Sequence, residues 1–141
     1  MVDSSRTEKM ILLDTHVLYW WLGDPLRLSA TARDWTEQTG INSKTLLIST
    51  VTLWELEYNR RAGKLNFAVP LREAWSTLKL LPGVEWVSPS AEDWLLAAEL
   101  GWSHRDPSDR LIAAIALNRG VSVLTKDGKF HNSDSPVTAV W

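Results

Sequence analysis

The sequence predicts an α/β fold: one domain with a mainly parallel central sheet flanked by helices on both faces. Three observations carry that expectation. Short apolar runs alternate with helical stretches of about ten or more residues, the pattern that links parallel strands through crossover helices. The helical stretches mostly stop at glycine or proline, as at Gly23-Asp24-Pro25, Gly40, Gly63, Pro82-Gly83, Gly101 and Gly120. At 141 residues the chain reads as a single domain, long enough to bury about 68–70% of its unfolded surface.

In chain order, residues 1–9 read as a flexible leader and 10–141 as the domain. Met10–Asp14 is the first expected strand, followed by a helix through Val17–Leu22 that Pro25 breaks. Ser29 caps a second helix running to about Thr39. Leu46–Ser49 forms the next strand, and a helix from Thr50 to Ala62 follows it. Pro70 suits the first turn of a helix over Leu71–Leu81. Val84–Val87 reads as a short, marginal strand, and Ser90 caps a helix over Ala91–Leu100. Asp106-Pro107 opens a helix to Arg119. Val121–Thr125 and Thr138–Trp141 complete the expected sheet.

Composition removes several function classes. Without cysteine the chain forms no disulfide, iron–sulfur cluster or thiolate zinc site, and the cytoplasm is the default compartment. The apolar stretch before Asp14 is too short for a secretion signal or a membrane span. A net charge of −2 argues against a wholesale nucleic-acid coat, although Arg60, Arg61 and Lys64, and the pair Arg105 and Arg110, form local basic groups. Nine tryptophans stand out against two tyrosines and two phenylalanines. Trp20 and Trp21 would point about 100° apart on a helix, so one of them can face a partner.

Four acids carry the functional signal: Asp14 closes MILLD, Glu55 lies within VTLWELEY, Asp109 opens DRLIAAIAL and Asp127 follows VSVLT. Carboxylates beside core segments need partners. On a helical wheel Glu55 shares its face with Val51 and Tyr58, while Glu57, Arg60 and Arg61 take the opposite arc. Asp109 aligns with Ile112, Ala113 and Ala116, and Asp106 is a ready N-cap before Pro107. Each acid also has a bland reading: rim glutamate, first-turn aspartate stabilised by the helix dipole, strand-end turn, or plain turn in KDG. Together they are harder to dismiss, because carboxylates about 5 Å apart repel by roughly 3 kcal/mol per pair at an effective dielectric of about 20. A divalent cation is the simplest relief, and oxygen-only donors favour Mg2+ or Mn2+ over zinc. His16, His104 and His131 show no ligand spacing and read as capping, surface or core residues.

Four ordered blocks, ILLDTHVLYWW, STVTLWELEYNRRAGKL, HRDPSDRLIAAIAL and VLTKDGKF, resemble a PIN-domain ribonuclease of the VapC type, the toxin of a type II toxin–antitoxin pair. The resemblance spans almost everything after the leader, which lengthens the usual start. It implies a PIN-like fold and Mg2+- or Mn2+-dependent endonucleolytic hydrolysis of RNA that leaves a 5′-phosphate and a 3′-hydroxyl. It also implies metal-binding and catalytic roles for Asp14, Glu55, Asp109 and Asp127. Asp109 is preferred over Asp106 as the third acid because the family's third acid directly precedes its L-I-A-A-type run and the wheel turns Asp109 inward. Asp106 is then a cap that can still reach the metal's hydration shell. Thr125 falls where the family carries a hydroxyl, and Thr15 is a second supporting hydroxyl. Arg105, Arg110, Arg60, Arg61 and Lys64 are the expected RNA contacts. The partners implied are a VapB-type antitoxin, whose basic tail would cover the site against Trp20, Trp21 or Trp54, and a second copy in a homodimer. The alternatives are a catalytically inactive PIN-like module that binds RNA or protein, a receiver- or phosphatase-type domain whose D-x-D-x-T pattern is absent here, and a structure-specific DNA nuclease.

Overall fold

The computed structural model describes residues 8–67 and 69–141. Of the expected leader, residues 1–7 lie outside the described residues, whereas Glu8 and Lys9 are tied to the sheet. Ser122 Oγ donates to Glu8 Oε1 at 2.8 Å, and Thr45 N–H donates to the Lys9 carbonyl at 2.8 Å.

The described strands are β1 (Met10–Leu13), β2 (Thr45–Ser49), β3 (Val84–Val87), β4 (Ser122–Leu124) and β5 (Ala139–Val140). They form one sheet in the order β3-β2-β1-β4-β5, and every pairing is parallel rather than mainly so. The helices are α1 (Thr15–Gly23), α2 (Ala30–Gln38), α3 (Thr50–Arg61), α4 (Leu71–Leu78), α5 (Ala91–Glu99), α6 (Pro107–Arg119) and α7 (Gly128–His131). Alternation along the strands divides the core into two layers. Ile11, Leu13, Leu46, Ile48 and Leu124 pack with α1 to α4. Leu12, Leu47 and Val123 pack with α5, α6 and Phe130 of α7. None of the described helices is long and apolar enough to cross a membrane.

The departures from expectation have local causes. α1 begins two residues early because the Asp14 carboxylate accepts from the Thr15 N–H and caps it. α4 stops at Leu78, where Trp86 Nε1 donates to the Leu78 carbonyl at 3.2 Å and two tighter turns follow. Pro70 stands one residue before α4, as its N-cap, not within its first turn. β3, expected to be marginal, pairs with β2 from Leu46↔Val84 to Ser49↔Val87. The structure adds a 3-10 turn at Pro25–Arg27 and the short α7 to the expected elements.

The strand order fixes where a site can form. The chain runs from β1 outward through β2 to β3, then returns to the other side of β1 for β4 and β5. Neighbouring loops therefore leave in opposite directions at the carboxyl ends of β1 and β4, which opens a crevice there. The opposite end of the sheet is closed by two turns in contact. Gly83, at φ +74°, lies so near Gly40 that an added Cβ would sit 2.3 Å from Gly40 N and 2.5 Å from Thr39 Cγ2. Gly63, at φ +76°, has open space around it.

Gly83→Ala should combine left-handed strain with backbone overlap and cost about 3 kcal/mol or more, whereas Gly63→Ala should cost about 1–2 kcal/mol of strain alone. Urea unfolding of the two variants checks this. Equal losses would mean that the two turns do not abut.

Candidate active site

β1 ends in Asp14, whose N–H continues the ladder to the Leu124 carbonyl at 3.0 Å while its side chain turns into the crevice. The carboxylate is only 4% exposed. Oδ1 accepts from Thr15 N at 2.7 Å and Oδ2 from Thr125 Oγ1 at 2.8 Å. The Thr125 hydroxyl in turn accepts the Asp127 N–H at 3.0 Å, so one hydroxyl spans both aspartates. Asp127 caps α7 by accepting from Lys129 N at 3.0 Å, and His131 Nε2 meets the Thr125 carbonyl at 2.8 Å.

Ser49 caps α3 through the Val51 N–H, and the helix then carries Glu55 to the crevice. Thr15 Oγ1 donates to Glu55 Oε1 at 2.8 Å. From the third side, Asp106 caps α6 by accepting the Asp109 N–H at 3.0 Å. Asp109 Oδ2 lies 2.6 Å from His104 Nε2. One ligand atom each from His104, Asp109 and Asp127 lie within 4.8 Å of one another, a grouping that could hold a metal ion.

The electrostatics follow from burying like charges together. Burial, opposed by the Thr125 and Thr15 hydrogen bonds, raises the Asp14 pKa above the carboxylate range. Burial first, then the nearby Asp109, Asp14 and Asp106, pushes Glu55 up to about 7. Asp109 rises to about 6 through burial and the Asp14 charge, with His104 opposing. Burial and like charge thus favour the protonated forms of Asp14, Glu55 and Asp109 over those of ordinary carboxyl groups.

The structure brings together Asp14, Glu55, Asp109 and Asp127, together with Thr15, Thr125 and the capping Asp106. It places the basic residues differently from expectation. Arg110 is not free to meet phosphate: Nε donates to the Ala97 carbonyl, Nη1 to Trp102 and His104, and Nη2 to Leu100, at 2.6–2.9 Å. It fastens the end of α5 and the following loop to α6. Arg60 and Arg61 both engage Glu57, whose pKa falls to about 2 through those hydrogen bonds, on the side of α3 away from Glu55. Arg105 is exposed and directly precedes Asp106 in the chain. Lys64 lines a separate cavity with Trp20, His16 and Tyr19. Trp20 and Trp21 are half-buried against the core, while Trp54 is 60% exposed and stacks on Tyr58 at 5.1 Å. Trp54, Tyr58 and Trp94 line an open groove of about 640 Å³ that reaches Glu55 and Asp106. The residue that sequence reasoning missed is His104. Its only signal is its position in HRDPSD, five residues before Asp109, a separation that places two residues together only when a loop folds back on a helix start.

Comparison with known proteins adds an independent line. The family profile described as PIN domain matches residues 11–135. Ribonuclease VapC22 of Mycobacterium tuberculosis is 31% identical over 133 residues, covering 93% of this chain and 98% of that protein. Among solved structures, VapBC2 from Rickettsia felis bound to a promoter DNA fragment superposes with a TM-score of 0.65 at 17% identity, over 93% of this chain and 97% of that one. DNA-bound VapBC from Salmonella typhimurium gives a TM-score of 0.67 at 18% identity, over 94% and 98%. At these identities the two structures establish likeness of fold.

Two outcomes follow from the geometry. Glu55 and Asp109 have folded pKa values above their ordinary 4.5 and 3.8, so between those values and about 7 the folded state holds more protons than the unfolded state. This stabilisation is complete below pH 4 and is lost as pH rises. Metal-free protein should therefore lose on the order of 1–3 kcal/mol between pH 5 and 7.5 by urea unfolding, and Glu55→Gln should flatten the slope. A rising slope would contradict the clustering. Arg110→Met leaves several carbonyls unpaired and should cost about 3 kcal/mol. A loss under about 0.5 kcal/mol would return Arg110 to a surface role.

Proposed function

The chain belongs to the PIN-domain family, and we propose that it is a divalent-metal-dependent endoribonuclease, the toxin of a toxin–antitoxin pair acting in the cytoplasm. The observation that carries this reading is the convergence of Asp14, Glu55, Asp109 and Asp127 on the crevice between β1 and β4, with burial raising the pKa of three of them.

The donor set fits a hard cation. Carboxylate oxygens dominate, each with lone pairs beyond its present hydrogen bond, and their mutual repulsion favours positive charge among them. Mg2+ or Mn2+ would be held by the four acids, with Asp106 reaching the hydration shell. When bound, such a cation supplies Lewis acidity and positive charge at the scissile phosphate. The chain's own residues set the geometry: Thr15 orients Asp14 and Glu55, and Thr125 orients Asp14 and Asp127. Arg105, exposed and next to Asp106 in the chain, is the proposed contact to an RNA phosphate. With water as the nucleophile and the 3′-oxygen as the leaving group, the outcome the family resemblance implies, hydrolysis would leave a 5′-phosphate and a 3′-hydroxyl.

A VapB-type antitoxin is the expected partner, in a complex that also pairs two copies of this chain. The groove with Trp54 and Tyr58 exposed at its rim suits an apolar segment, and an arginine beyond it could pair with Glu55 and Asp106. An inactive RNA- or protein-binding scaffold is disfavoured because all four acids are present and converge.

Purified chain, free of antitoxin, should cleave a cellular RNA pool with Mg2+ or Mn2+ and stop in EDTA. Asp14→Asn keeps an oxygen for the Thr15 N–H and offers its amide N–H to the Thr125 hydroxyl oxygen, so it should lose about 100-fold or more in cleavage with little change in melting temperature. Cleavage that persists in EDTA, or in Asp14→Asn, would overturn the assignment.

A further inference from the structure

We propose that His104 is a positioning residue: its ring draws the Asp109 carboxylate away from its own helix terminus and aims it into the cation site. The observation comes from comparing two helix starts in this chain. In α5, Ser90 is the N-cap and Asp93 stands three residues on. Ser90 Oγ accepts from Asp93 N at 3.2 Å, and Asp93 Oδ2 reaches back to accept from Ser90 N at 2.8 Å, closing a capping box. In α6, Asp106 and Asp109 occupy the same two positions, and the first half of the box is present, with Asp106 Oδ1 accepting from Asp109 N at 3.0 Å. The second half is missing. The Asp109 carboxylate points instead to His104, at 2.6 Å from Nε2.

A short acidic side chain at that position has the Asp106 N–H as its local partner, so something must outcompete it. A charge-assisted hydrogen bond of this length can, provided the ring is held. It is held from two sides. Trp102 meets the ring edge-on at 4.9 Å and itself packs on Phe130 of α7 at 5.1 Å. The carbonyls of Trp102 and His104 both accept from Arg110 Nη1, so the loop is anchored to α6 at the residue next to Asp109. In the proposed arrangement Nε2 carries the hydrogen and the ionised Asp109 carboxylate accepts it.

This inference rests on the metal-dependent reading, and its test has one arm that does not. Hydrogen exchange of the Asp106 amide in metal-free protein reports whether Asp109 has closed the box. In His104→Ala this amide should become about tenfold more protected, and in His104→Gln, whose amide N–H reaches about as far as Nε2, it should stay as in the wild type. Mn2+ binding by calorimetry is the second arm. His104→Ala should bind about 10–100-fold more weakly, with His104→Gln close to wild type. Should the wild type bind no Mn2+, the metal reading fails while the exchange arm still decides on His104. Unchanged exchange in His104→Ala would overturn the proposal. Equal loss of Mn2+ affinity in both variants would also overturn it, because His104 would then be a ligand. If His104→Ala does not fold, Asp106 protection in His104→Gln decides: wild-type protection supports the proposal and increased protection overturns it.

Discussion

The Asp14 carboxylate is the interaction on which the rest depends. It sits at the end of the central strand, nearly sealed from water, and is held by the first amide of α1 and the hydroxyl that follows β4. A carboxylate buried there without those donors would cost several kcal/mol. With them it joins the two strands at the point where the chain reverses its direction of travel across the sheet. Every other acid reaches the crevice from an element packed against this junction.

Most of the cluster uses the same device. Asp14, Asp106 and Asp127 are N-caps, and Asp109 stands in the first turn of α6. Each therefore lies near unpaired backbone N–H groups, whose partial positive charge offsets part of the repulsion. Glu55 is the exception. It lies beyond the first turn of α3 and has one threonine hydroxyl as its hydrogen-bond partner in the crevice, and its pKa reaches about 7. The fold thus gathers negative charge that the chain alone does not fully compensate, and a proton or a cation completes the site.

Much of this was legible in the sequence because it is local. The wheel turned Glu55 inward, and Asp106 before Pro107 announced a cap. Four blocks in the right order carried the family resemblance. What escaped is tertiary. Arg110 beside Asp109 reads as a phosphate contact until α5 and its loop present their carbonyls to it. His104 has no ligand spacing and gains its role only when the loop folds back on α6. β3 looked marginal because VEWV is a short edge segment, yet β2 supplies the ladder. α7 is a single turn whose anchor, Phe130, is buried by Trp102, a distant residue in the sequence.

Asp14, Glu55 and Asp109 share one charge problem, which a bound cation would relieve. Titrating the Glu55 side-chain carboxyl by carbon-13 NMR, without divalent metal and then with saturating Mg2+, tests it most directly. A midpoint near 7 is expected in the metal-free protein, well above the ordinary 4.5, with a large downward shift once the cation is present. A midpoint near 4.5 under both conditions would mean that Glu55 is an ordinary rim glutamate and that the four acids do not form one site.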